Sequence, residues 1–157
     1  MKKYIHYGSS KFIKHLCGIY DNQEFWIRNS LFLYNKPYGC LWGSPVNPPN
    51  IGWKEWCEDN DFYLERLDRH FIFTLSDNAK IAEITDDKTL SNFKEKFMIK
   101  DEWGRENKLD IAAIYDAGYD AIEVELNTED IYWTFYGWDC DSIVILNPNV
   151  VIEVEDE

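Results

Sequence analysis

The stretch Leu109–Leu146, LDIAAIYDAGYDAIEVELNTEDIYWTFYGWDCDSIVIL, decides the fold class. Ile111, Ala112, Ile114 and Tyr115 sit at helical spacing, which predicts a helix over Leu109–Asp116 with Gly118 as a natural C-terminal cap. After Gly118, β-branched and aromatic residues take over. They predict strands at Tyr119–Leu126, Asp130–Tyr136 and Ser142–Leu146, with Val150–Val154 as a final edge strand. Helices followed by hairpins imply an α+β domain with a mostly antiparallel sheet.

Working toward the N-terminus, Tyr4–Tyr7 reads as a first strand ending at Gly8-Ser9-Ser10. Phe25–Leu33 is apolar and aromatic, and fits either a strand or a helix. Tyr38–Ser44 reads as a strand stopped by Pro45. Asn50 is placed to cap a short helix carrying Trp53 and Trp56 on one face, with Cys57 beside them. Arg69–Leu75 and Lys80–Ile84 read as strands joined by the turn Ser76-Asp77-Asn78. Thr89–Met98 reads as a helix with Leu90, Phe93, Phe97 and Met98 on one stripe. No repeat or linker interrupts this series, since Pro45-Val46-Asn47-Pro48-Pro49 is only loop length, so residues 1–157 form one domain.

Charge narrows the function classes. Against 16 Lys+Arg stand 29 Asp+Glu, a formal net charge of −13. That field opposes direct nucleic-acid binding and an anionic membrane surface, both of which need clustered cations. An aromatic content of 17% argues for a packed core rather than disorder. The first residues hold no apolar run long enough for a signal peptide, and no stretch approaches a membrane span. Cys17, Cys40, Cys57 and Cys140 are scattered without a Cys-x-x-Cys pair, which points to reduced, mostly buried thiols in a cytoplasm and to no metal site.

No phosphate-binding glycine loop, zinc-protease helix or nucleophile elbow occurs. Asp139 and Asp141, in Trp138-Asp139-Cys140-Asp141-Ser142, are spaced at i and i+2, which in an extended chain sends both carboxylates to one face. Two readings stand there: an acidic turn entering a strand, or a carboxylate pair at the mouth of a site. Trp133, Phe135 and Tyr136 would be sheet core or a wall beside those acids. His6 beside its glycine-serine turn is likewise structural or functional, and Cys40 and Cys57 lack a neighbouring base in sequence and read as packing.

Three stretches, in this order, resemble the ADP-ribosyltransferase superfamily, and in particular small bacterial and phage-encoded members such as anti-CRISPR ADP-ribosyltransferases. Tyr4-Ile5-His6-Tyr7-Gly8-Ser9 is similar to the family's apolar-His-Gly-Ser/Thr opening, with Tyr7 inserted. Gly39–Pro45 is similar to its aromatic and serine-bearing strand beneath nicotinamide. Asp116–Val124 and Asp141–Pro148 are similar to its closing motifs, with aspartate where the family usually has glutamate. Trp53-Lys54-Glu55-Trp56 matches no family motif.

The resemblance implies an ADP-ribosyltransferase-like, split antiparallel sheet with flanking helices, and NAD as cofactor. It implies transfer of ADP-ribose to a protein target, as a toxin or phage anti-defence effector acting in the host cytoplasm. Asp141, with Asp139 second, would stabilise the positive charge that develops on the ribose. His6, Gly8 and Ser9 would meet the dinucleotide, Trp42 would pack on nicotinamide, and Ser44 would buttress the acid. Lys11, Lys14 or Arg28 would offset the field repelling the phosphates. The contrasting reading is a non-enzymatic acidic inhibitor that uses the same fold to occupy a partner's nucleic-acid-binding groove.

Overall fold

Tyr4–Tyr7 forms β1 as expected, and it lies in the interior of the sheet rather than at an edge. The computed structural model describes residues 1–13, 36–37, 39–100, 103 and 106–155, without the side chains of 106–108. Phe25–Leu33, Cys17, Lys14 and Arg28 lie outside the described residues.

The remaining strands are β2 (Leu41–Pro45), β3 (His70–Leu75), β4 (Ile81–Ile84), β5 (Met98–Lys100), β6 (Glu106–Leu109), β7 (Ala121–Val124), β8 (Ser142–Ile145) and β9 (Val151–Val154). Four helices accompany them among the described residues: α1 (Trp53–Asn60), α2 (Asp87–Phe97), α3 (Ile111–Asp116) and α4 (Glu129–Thr134). Seven strands make one sheet in the order β4-β7-β8-β2-β1-β3-β9, and β5 pairs with β6 separately. Every ladder is antiparallel except β4 with β7. The coarse class, α+β with a mostly antiparallel sheet, is therefore as expected, and β9 is an edge strand paired to β3.

Several local expectations are corrected. Asp130–Tyr136 is not a strand. Thr128 Oγ1 accepts from the Ile131 amide and starts α4, and Ile131 and Phe135, four apart, both turn into the core. The helix expected at Thr89 begins at Asp87, because Asp86 and Thr89 close a reciprocal capping box. Asn50 does not cap α1; Gly52 holds that position with no side-chain bond. Pro45 closes β2 as its last residue rather than lying beyond it.

β3 and β4 do not form a hairpin. The link from Leu75 to Ile81 spans at most roughly 20 Å when extended. On a flat sheet, the five strand spacings between β3 and β4 would need about 24 Å. The sheet therefore folds over, and its two halves pack face to face. Leu41, Phe73, Leu75, Ala121, Ile143 and Ile145 belong to that inner cluster. On the opposite face of β4, β7 and β8, residues Ile84, Ile122, Val124 and Val144 meet Leu90, Ile114 and Ile131 from the helices. Strands buried on both faces explain the nearly continuous apolar runs of β7 and β8.

Gly43 leaves no room for a side chain. A Cβ there would lie 2.9 Å from two ring atoms of the fully buried Phe73 and 3.2 Å from the Ile5 carbonyl oxygen. Gly43→Ala should cost about 1–3 kcal/mol through overpacking, measured by urea denaturation.

Candidate functional site

The β1–β2 ladder contains only two pairs, Tyr4 with Pro45 and Ile5 with Ser44. Beyond them a side chain takes over the bonding: His6 Nδ1 lies 2.6 Å from the Trp42 carbonyl oxygen. A carbonyl only accepts, so Nδ1 carries the hydrogen and Nε2 of the neutral ring is an acceptor. At this fork lies a cavity of about 360 Å³. His6 from β1 and Trp42 and Ser44 from β2 all line it, together with Cys140 and Ser142 at the entry to β8.

Aromatic rings form the walls. Trp42 meets Trp138 edge-on with centroids 4.6 Å apart. Trp53 and Phe62 bring the α1 side of the molecule to the same space, with Trp53 stacked on Trp56 at 5.3 Å and 12°. Ser44 Oγ accepts from the Trp53 amide at 3.0 Å, satisfying an amide that Gly52 cannot cap, and so aims α1 at the cavity. Cys140 Sγ sits between Ser142 Oγ at 3.4 Å and Ser44 Oγ at 3.7 Å, and burial pushes its thiol up.

The charged lining has one sign. Lys36 and Arg66 face the cavity, and no carboxylate does so among the described residues. Arg66 is held over the Tyr63 ring at 4.6 Å, and the Lys36 ammonium lies 6.0 Å from the Trp42 ring centroid. Tyr63 itself has a φ of 46°, in the left-handed region. In a chain of net charge −13, such a cavity is a local exception to the surrounding field.

Asp139 and Asp141 are separated rather than paired. Asp139 has a φ of 70°, and the Cys140 amide bonds back to the Trp138 carbonyl at 2.8 Å, making a γ-turn. The i, i+2 argument assumed an extended chain, which this turn interrupts. Asp141 is fully buried and accepts from the Asn50 amide at 2.8 Å, Asn50 Nδ2 at 3.1 Å and the Leu126 amide at 2.8 Å. It tacks the proline-rich loop to the segment after β7 and does not line the cavity. Asp139 is half-buried; desolvation raises its carboxyl above the ordinary range and the Lys36 charge partly offsets this. Through Lys36 it is coupled to the cavity.

Gly8 and Ser9 do not line the cavity either. Gly8 turns the chain out of β1 at a φ of 109°, and its amide donates to the Arg69 carbonyl at 2.8 Å. Phe135 is core, whereas Trp133 and Tyr136 are exposed, so these three do not wall the aspartates together. Cys40, Cys57 and Cys140 are all buried. Among the described residues no cluster of His, Cys, Asp and Glu is arranged to hold a metal ion, and no helix is long and apolar enough to cross a membrane.

His6 gives the fold a pH dependence. Burial lowers its pKa from 6.5, against the opposing effect of the Trp42 carbonyl. The unfolded chain then binds the proton more readily, so this contribution is intact above pH 6.5 and is lost as the pH falls through the folded value. Urea denaturation at pH 7 and pH 5 should give a smaller difference for His6→Gln than for the native chain.

No family model, curated protein or solved structure matches the chain.

Proposed function

We propose that this chain is an NAD-dependent ADP-ribosyltransferase acting on a protein, with the fork between β1 and β2 as its NAD pocket. The observation that carries the reading is the lining: aromatic walls, one imidazole acceptor and two cations, without a carboxylate, in a chain of net charge −13. That donor set fits a ligand joining a flat ring, a sugar with hydroxyls, and phosphates. In NAD an N-glycosidic bond joins ADP-ribose to nicotinamide. It breaks with its electron pair going to the departing nicotinamide, and a nucleophilic side chain of the protein target bonds to the ribose carbon and gives up its proton.

Each residue then has a defined task. Trp42 and Trp138 offer the ring a plane and an edge. His6 Nε2 accepts from a ribose hydroxyl, its orientation fixed by the Trp42 carbonyl. Arg66 and Lys36 neutralise the phosphates. Asp139 does not line the cavity, but it follows the lining residue Trp138 in a strained turn and feels the Lys36 charge, and it is the carboxylate assigned to the positive charge growing on the sugar. Asp141 keeps the loops in register behind it. The fork between β1 and β2 is compatible with the split sheet that the resemblance implies.

Calorimetry with NAD, run beside an assay for nicotinamide release, tests this. NAD should bind, Arg66→Ala should weaken binding about tenfold, and Asp139→Asn should bind NAD while losing release. No NAD binding would end the proposal. The acidic-inhibitor reading, which the −13 charge favours, would then take its place.

A further inference from the structure

The strongest unexplained surface is on α4 and the turn after it. Tyr132, Trp133 and Tyr136 are 43%, 60% and 58% exposed. They are also organised. Trp133 and Tyr136 stack at 5.8 Å with 19° between their planes, and Tyr132 stands edge-on to both, at 5.2 Å and 6.3 Å. Ile131 and Phe135, on the opposite side, anchor the helix in the core, so the plate is displayed on a rigid support.

Its electrostatic setting selects a partner. No lysine or arginine follows Lys108, while thirteen of the 29 carboxylates do. The stretch from Leu109 to Glu157 thus carries the entire net charge of −13, and the residues before it balance. Glu129 and Asp130 are exposed in the first turn of α4, and the Asp87 carboxylate accepts from Thr128 Oγ1 at 2.6 Å at the same end. Aromatic faces attract guanidinium groups, and carboxylates beside them add charge complementarity.

We infer that the α4 plate docks an arginine-rich segment of a partner protein, with guanidinium groups lying over Trp133 and Tyr136 and paired to Glu129 and Asp130. The surface is separate from the cavity, and the inference stands whether or not the cavity takes NAD. Arginine suits it better than lysine, because a planar guanidinium stacks and bonds bidentately while an ammonium does neither. Tryptophan and tyrosine exposed together are also the residue types that carry most binding energy at protein interfaces.

The probe is a synthetic octapeptide of alternating arginine and serine, with lysine–serine and glutamate–serine versions, titrated by calorimetry at physiological salt. The arginine peptide should bind most tightly and the glutamate peptide not at all. Trp133→Ala/Tyr136→Ala should weaken the arginine peptide by about tenfold, with an unchanged melting temperature because both side chains are exposed. Glu129→Gln/Asp130→Asn should weaken it several-fold, whereas Glu58→Gln/Asp59→Asn, the same charge removed from α1, should not. Equal losses from the two acid pairs would overturn the inference in favour of a diffuse field. So would unaltered binding by the aromatic double variant, or equal affinity for the lysine peptide. Binding to neutral phosphatidylcholine vesicles that is lost with Trp133 would assign the plate to a membrane. A dimer in sedimentation that Trp133→Ala dissolves would assign it to a second copy of the chain. Either result would overturn the inference.

Discussion

Replacing Asp141 by alanine should lower stability by about 3–5 kcal/mol, because it removes a fully buried charged acceptor from two part-buried backbone amides and one side-chain amide. Those donors come from Asn50 and Leu126, which are far apart in sequence. Asp141 also donates its own amide to the Ile51 carbonyl at 3.0 Å, so the aspartate holds the loop from both backbone and side chain. For a chain of this size the melting temperature should fall by roughly 10 °C or more. Asp141→Asn should lose about half as much, since the amide nitrogen it introduces faces donors rather than acceptors. Calorimetric melting of both variants checks this. A melting temperature unchanged in Asp141→Ala would sink the structural assignment and restore Asp141 as a candidate for chemistry. The contrast with Asp139→Asn separates the two roles, since that variant should melt like the native protein.

The second large effect concerns Trp42. Trp42→Ala should weaken NAD by about a hundredfold, the scale expected when a central aromatic anchor of a site is truncated. Its ring forms the wall against Trp138 and lies under the Lys36 ammonium, so the substitution removes a stacking plane and loosens a cation together. The Trp42 backbone carbonyl survives, and the bond to His6 Nδ1 with it. Loss of binding would therefore report on the ring rather than on the imidazole. Trp42→Phe should recover most of the affinity. Calorimetry against NAD, with melting curves showing that each variant is folded, makes the measurement. Native-like affinity in Trp42→Ala would mean that NAD binds somewhere other than this cavity.

How much of this was legible in the sequence depended on how local each determinant is. β1, β3, β4, β8 and β9 follow from runs of apolar, β-branched and aromatic residues. α4 was misread because Tyr132, Trp133, Thr134, Phe135 and Tyr136 are all strand-favouring types. The helix signal lay just before them, in the Thr128 cap with Glu129 and Asp130 in the first turn. Burial of Ile131 and Phe135 decided the outcome. The parallel pairing of β4 with β7 has no local signature, because it depends on where the whole sheet turns over.

The site divides the same way. His6, Trp42 and Ser44 were readable from the family likeness, and all three line the cavity. Cys140 and Ser142 have the same i, i+2 relation that drew attention to the aspartates, but on the other face. Asp141 is as buried as they are but faces the loops, and the left-handed turn at Asp139 that precedes it has no signature in residue type. Tyr63 and Arg66 reach the cavity from a segment with no motif, so only the tertiary structure brings them to His6.

The placement of β2 between β1 and β8 has a consequence for biogenesis. β2 reaches its second neighbour only through Ile143, Val144 and Ile145, about a hundred residues further along, and β3 likewise waits for β9. During synthesis, the strands that bear His6 and Trp42 therefore emerge long before the residues that complete their half of the sheet. Pairings this distant in sequence make folding slow relative to helical domains of equal size. A chain arrested before Ser142 would expose the inner faces of β1, β2 and β3 to quality control, and a ligand for the cavity could stabilise only chains translated past Ser142.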